Sequence, residues 1–159
     1  MADRSIPFGT EFEETALTTN TFVPTSWDET IVSGGEDGPR VAHAHATMRY
    51  SGVIEGESVV DSLLLYIGPG YDGGGQTSPG LERVEGSVAG RAGSFVIRHE
   101  VGFDPSGVAG TWTVVPGSGT GELSGLTGQG TIRGAMGTDS MDYTFEYSFS
   151  EQDGSGAAR

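Results

Sequence analysis

The chain has 159 residues, with 22 acids against 8 arginines, no lysine and a net charge of −14. That balance excludes nucleic acid and anionic lipid as partners, because both need a cationic patch. There is no cysteine, hence no disulfide and no thiolate nucleophile or metal ligand; the longest apolar run, Leu63 to Ile67, is too short to cross a bilayer.

One domain with its own core fits this length. Glycine takes 28 of 159 positions, about two and a half times the usual ~7%. No collagen period accompanies it, so the glycines read as turns and bulges. Residues 1–20 show no clean period and read as a flexible arm. Met1 to Glu14 lacks the apolar segment of a secretory signal, and the expected location is cytoplasmic.

Thr21 to Val32 reads as a bent strand or a strand pair, followed by the turn Ser33 to Pro39. Arg40 to Ser51 alternates. Val41, His43, His45, Thr47 and Arg49 share one face, and Ala42, Ala44, Ala46, Met48 and Tyr50 the other. The small alanines predict close packing against another layer. Ile54 to Ile67 is a long strand whose end is apolar on both faces, so both must be covered. A helix, a loop or a second subunit would cover the outer one, and a homo-oligomer, a dimer or trimer, is the expected state. Gly68 to Gly80 reads as a glycine-rich loop. Leu81 to Val88, Ser94 to Phe103 and Val108 to Val115 are further strands.

The stretch from Trp112 to Gly130 is the most informative. It starts as a strand, Pro116 ends the ladder, and glycines recur at 117, 119, 121, 125, 128 and 130. So many glycines answer a need for positive φ or for close approach. Leu123 and Leu126, between them, are placed to plug one end of a barrel. Thr131 to Gly134 reads as a short strand, Met141 to Phe149 as an alternating last strand, and residues 151–159 as a disordered tail. Seven to nine strands without a helical period mean an all-β sandwich or barrel.

A glycine ribbon after a Trp-bearing strand resembles the closing segment of the allene oxide cyclase-like barrels, which include allene oxide cyclases and dirigent proteins. Thr25-Ser-Trp-Asp-Glu29, Gly52-Val-Ile-Glu-Gly-Glu57, Gly80-Leu-Glu-Arg83, Gly90-Arg-Ala-Gly-Ser-Phe95 and Pro116-Gly-Ser-Gly-Thr-Gly-Glu-Leu123 are similar to an uncharacterised bacterial family of that superfamily. The resemblance covers about residues 22–149. It implies a single antiparallel β-barrel of about eight strands over residues 21–150, and it gives residues 1–20 a second reading as a lid on the barrel cavity.

The glycine loops are not nucleotide sites. A P-loop needs lysine, and the 117–130 stretch has no Gly-x-Gly-x-x-Gly opening a long helix. Gly-x-Ser-x-Gly is absent too. His43 and His45 share a strand face at a spacing that can chelate a metal. With His99 and Glu55 they would make a cupin-like site. Glu55, Glu82, Arg83 and His99 are the catalytic candidates. Inside a barrel, burial would raise a carboxylate pKa, and an acid–base pair could act on a carbonyl or epoxide. Tyr66, Phe95, Trp112, Tyr143 and Tyr147 are candidates to shape an apolar ligand cavity.

The leading expectation, on the reaction class of the resemblance, is a cofactor-independent cyclase or isomerase that binds a hydrophobic, oxygenated small molecule. The alternatives are a non-catalytic, dirigent-like binding scaffold and a cupin-like metal-dependent enzyme.

Overall fold

The structure is a computed structural model that describes residues 19–70, 74–135 and 137–150. The expected arm or lid (save residues 19 and 20) and the expected tail lie outside the described residues. Nine strands follow in order: β1 (Thr21–Gly34), β2 (Arg40–Ser51), β3 (Ile54–Tyr66), β4 (Thr77–Val88), β5 (Arg91–Asp104), β6 (Gly107–Val114), β7 (Leu126–Ala135), β8 (Met141–Tyr143) and β9 (Glu146–Phe149). The described helix is one 3₁₀ turn, Gly121–Leu123. The chain is therefore an all-β, antiparallel sheet protein, as its strand patterns predict. No described helix is long and apolar enough to cross a membrane.

Each strand from β1 to β7 pairs antiparallel with the next. β7 then pairs with β8 and β9, and β8 pairs with β1 through Thr21 opposite Asp142 and Phe22 opposite Met141. The pairings thus return to their start, and the sheet is barrel-like. The inward residues of β2 are Ala42, Ala44, Ala46, Met48 and Tyr50, all buried, as the alternation predicts. β1 is one bent strand, with register shifts between Pro24 and Ser26 and between Ile31 and Ser33. Bulges of this kind increase local twist and bend a strand.

The core fills one end. Ile54, Val88, Phe95, Val114, Leu123 and Leu126 are at most 1% exposed and pack in one cluster. The 3₁₀ turn delivers Leu123 into it, as the leucine spacing predicts. Glutamate 122 ties this turn back to β5 by accepting the Ala92 N–H at 2.9 Å.

Three local expectations are corrected. The glycine loop ends early, because β4 starts at Thr77 and carries Pro79 and Gly80 within its ladder. The short strand at Thr131 is a full ten-residue β7. Its glycines admit neighbours: a Cβ on Gly130 would stand 2.7 Å from two ring carbons of Trp112. The last strand is interrupted at Thr144, whose N–H reaches Thr131 O and whose Oγ1 accepts the Thr131 N–H.

Candidate functional site

Above the packed end the interior is open. A cavity of about 310 Å³ lies between Phe22, Trp27, Ala46, Leu64, Tyr66 and Phe103, with Ser62, Ser78, Glu82 and His99 as its polar lining. That volume is at the small end of the ~300–1,000 Å³ typical of ligand pockets. Ala44 and Ala46 line it, so the alanine face of β2 does not pack against another layer in this region. Its short side chains create the space instead.

Glu82 and His99 form the polar floor. Alternation brings Glu82 inward from β4, and His99 inward with Phe95 and Ile97 of β5. They are 4% and 6% exposed. Glu82 Oε2 accepts hydrogen bonds from Tyr50 Oη at 2.7 Å and Ser58 Oγ at 2.6 Å. Glu82 Oε1 stands 3.8 Å from His99 Nε2, too far for a direct hydrogen bond. Buried His99 Nδ1 has no hydrogen-bond partner among the described residues. Unsatisfied buried polar atoms are rare, and functional sites are among the places that tolerate them.

Burial raises the Glu82 pKa, partly offset by the Ser58 and Tyr50 hydrogen bonds. Burial lowers that of His99, partly offset by the Glu100 charge. Both shifts run toward the neutral forms, which disfavours an ion pair between the two. Tyr50 is pushed well above its ordinary value, first by burial and then by the Glu82 charge, and stays a donor.

A glycine makes the histidine's place. Gly80 lies opposite His99 across the β4–β5 ladder. A Cβ there would overlap His99 Cε1 and stand 2.6 Å from Ser62 Oγ. Trp27, 52% exposed, carries the cavity lining to the surface. Its Nε1 donates to Glu29 Oε1 at 2.9 Å, and Tyr66 Oη donates to Glu29 Oε2 at 2.5 Å. The Arg40 guanidinium lies 4.3 Å from the Tyr66 ring centre and donates to Gly68 O and Gly70 O.

Of the residues the sequence singles out, Glu82, His99 and Tyr66 come together at this cavity. Glu55 and Arg83 do not. Glu55 is exposed and accepts the Gly52 N–H; the Arg83 side chain is 58% exposed and donates to Glu85 at 3.2 Å. The pleat explains both, since Ile54 and Glu82, their chain neighbours, take the inward positions. Phe95, Trp112 and Tyr143 are buried but belong to the packed core rather than to the cavity lining. Tyr147 is 36% exposed and packs beside Phe145 and Phe149.

The cupin-like set is not assembled. His43 Nε2 and His45 Nδ1 lie 2.9 and 2.8 Å from Asp61 Oδ1 on exposed side chains, whereas His99 is buried inside. No group of three or more His, Cys, Asp or Glu among the described residues is arranged to hold a metal ion. Sequence reasoning missed Tyr50 and Ser58. The alternation of β2 placed Tyr50 inward, but nothing local pairs it with a glutamate 32 residues away.

No protein of curated function matches this chain. A crystal structure of a protein of unknown function from the DUF3224 family, from Shewanella oneidensis MR-1, is similar in fold. It shows 24% identity and a TM-score of 0.58, covering 84% of this chain and 98% of that one. The family model described as protein of unknown function (DUF3224) matches residues 18–147. On that match, the chain belongs to the DUF3224 family.

Proposed function

We propose that the chain is a cofactor-independent isomerase or cyclase acting on an apolar, oxygen-bearing small molecule held in an allene oxide cyclase-like barrel. The observation that carries this reading is the Glu82–His99 floor: an acid and a base, both buried, at the end of an apolar cavity. Glu82 Oε1 donates its proton toward a ligand carbonyl oxygen while His99 Nε2 takes a proton from the neighbouring carbon. The product is an enol. In a conjugated ligand, delivery of the His99 proton to a different carbon, with the enol hydroxyl giving its proton back to Glu82, completes an isomerisation. Attack of the enol carbon on a second carbonyl of the same ligand, whose C=O π bond opens to an oxygen that takes the His99 proton while Glu82 regains its own, completes a cyclisation. The apolar walls contribute by holding a flexible ligand in one reactive shape.

Solvent exchange tests this without knowledge of the natural substrate. In D2O, an apolar ketone should gain deuterium beside its carbonyl faster with the protein than in buffer. His99→Phe should remove about a hundredfold or more of that acceleration, in the range expected of one acid–base group. A ketone that binds but exchanges at the buffer rate would favour the second reading, a dirigent-like binding barrel. The mostly apolar lining, with its one polar corner, suits that reading as well.

The proposal includes a homo-oligomer. Val59, Leu63 and Leu81 are 44%, 49% and 51% exposed on neighbouring strands. Leu81 pairs with Asp61, so it sits between the other two. Leu63→Glu should lower the mass seen by light scattering, and an unchanged monomer mass in wild type and variant would remove the oligomer from the account.

A further inference from the structure

We infer that the cavity selects an uncharged carbonyl compound, with its oxygen against Glu82 Oε1 and the adjoining carbon against His99 Nε2. This rests on the small-molecule reading above and adds the ligand's charge, together with carbonyl-specific binding that does not depend on turnover.

The Glu82 carboxyl has two oxygens with different duties. Oε2 is taken by the Tyr50 and Ser58 hydroxyls. Oε1 is left facing His99 Nε2 across 3.8 Å. A hydrogen-bonded oxygen sits ~2.7–3.0 Å from its partner, so a carbonyl and its neighbouring carbon can touch both groups at once. Because Oε2 accepts both hydroxyls, a proton on this carboxyl sits on Oε1 and points away from them, and a carbonyl oxygen is the matching acceptor. His99 Nδ1 is buried without a hydrogen-bond partner among the described residues, and Gly80 leaves the ring the room it occupies.

Charged ligands fit poorly. Among the described residues, the cavity lining carries no arginine and one acid, Glu82. A ligand carboxylate would be desolvated there without a counter-charge. An ammonium would need acceptors for three donors and would have to ionise a buried acid. Ser78 Oγ is already engaged by the Leu65 N–H at 3.0 Å. Ser62 apart, most of the remaining walls, among them Phe22, Leu64 and Phe103, are apolar and suit an apolar body.

Four probes with one shared body test this on the full chain: 2-acetylnaphthalene, 2-ethylnaphthalene, 2-naphthoate and 2-naphthylmethylammonium, each titrated by calorimetry. The ketone should bind about tenfold more tightly than the hydrocarbon, the value of one net hydrogen bond, and more tightly than either ion. Its infrared carbonyl stretch should fall on binding. Glu82→Leu should abolish the fall and the tenfold advantage while the hydrocarbon still binds. Glu82→Gln, which keeps a donor, should retain part of both if the leucine variant does not fold. Tighter binding of either ion, or a bound ketone with its free-solution stretch, overturns the inference and leaves the binding cavity standing. Failure of all four probes to bind overturns the cavity reading itself, and the inference with it.

Discussion

Glu82 Oε1 and His99 Nε2 face one another across 3.8 Å, both buried, at the floor of an otherwise apolar space. Neither group satisfies the other at that distance, and the tyrosine and serine that hold Glu82 do so through its second oxygen. A buried acid and a buried imidazole with no hydrogen bond between them cost stability, a cost that proteins commonly carry at functional sites.

That cost should be visible as a pH dependence. Burial raises the folded pKa of Glu82. Its contribution is therefore most favourable below the unfolded value of ~4.3 and is lost as pH rises through the folded value. Glu82→Gln removes this titration while keeping an acceptor for Tyr50 and Ser58. Its melting temperature should match wild type near pH 4 and exceed it at pH 8, at about 2–4 °C per kcal/mol for a domain of this size. His99 titrates in the opposite sense, its depressed value costing stability below pH ~6.5, but it is present in both proteins. A melting difference that stays constant from pH 4 to pH 8 would contradict the raised Glu82 value.

Gly80 should be a positioning residue for His99. Gly80→Ala places a methyl group against the imidazole and against Ser62 Oγ. Overpacking of this kind costs about 1–3 kcal/mol, read as a lower denaturant midpoint. The variant that still folds should show a displaced His99 imidazole resonance by NMR and lose the ketone's advantage over the hydrocarbon. Unmoved His99 resonances would refute the positioning role.

Tyr143 is a structural clasp rather than a ligand contact. Its hydroxyl accepts the Ile54 N–H at 3.0 Å and donates to Ser51 O at 3.0 Å, tying β8 to the β2–β3 turn. Burial first, with the Glu55 charge, pushes its pKa up to about 12, so it remains protonated through the neutral range. Tyr143→Phe leaves the buried Ile54 N–H without that acceptor and should cost about 1–3 kcal/mol. Ligand affinity, measured well below the melting point, should stay within twofold. A large affinity loss in a stable variant would move Tyr143 into the site.

The legible parts of this chain are those written in short-range patterns. The Ala-His alternation of β2 sorts inside from outside without any partner strand. Leu123 and Leu126, among glycines that allow the bends, announce the plug. Pro79 and Gly80 misread as a loop because breakers in a strand normally weaken it; here Gly80 serves a contact with His99 on the next strand. Glu55 looked as useful as Glu82, since a carboxylate in an alternating segment does not reveal which face is buried until the register is known. The Tyr50–Glu82–Ser58 cluster joins three strands, and its pairing has no local signal. Chemistry visible as residue types became a site only through register.

The most direct test of the account is whether the interior itself binds the ligand. Ala46 is fully buried and lines the cavity, so Ala46→Leu fills that space from within. Titrated with 2-acetylnaphthalene by calorimetry, wild type should show one saturable site per chain. The filled variant, melting as cooperatively as wild type, should bind at least about tenfold more weakly, the loss expected when a ligand's volume is taken. Equal affinity in a folded Ala46→Leu protein would put the ligand on the outer surface and contradict the account.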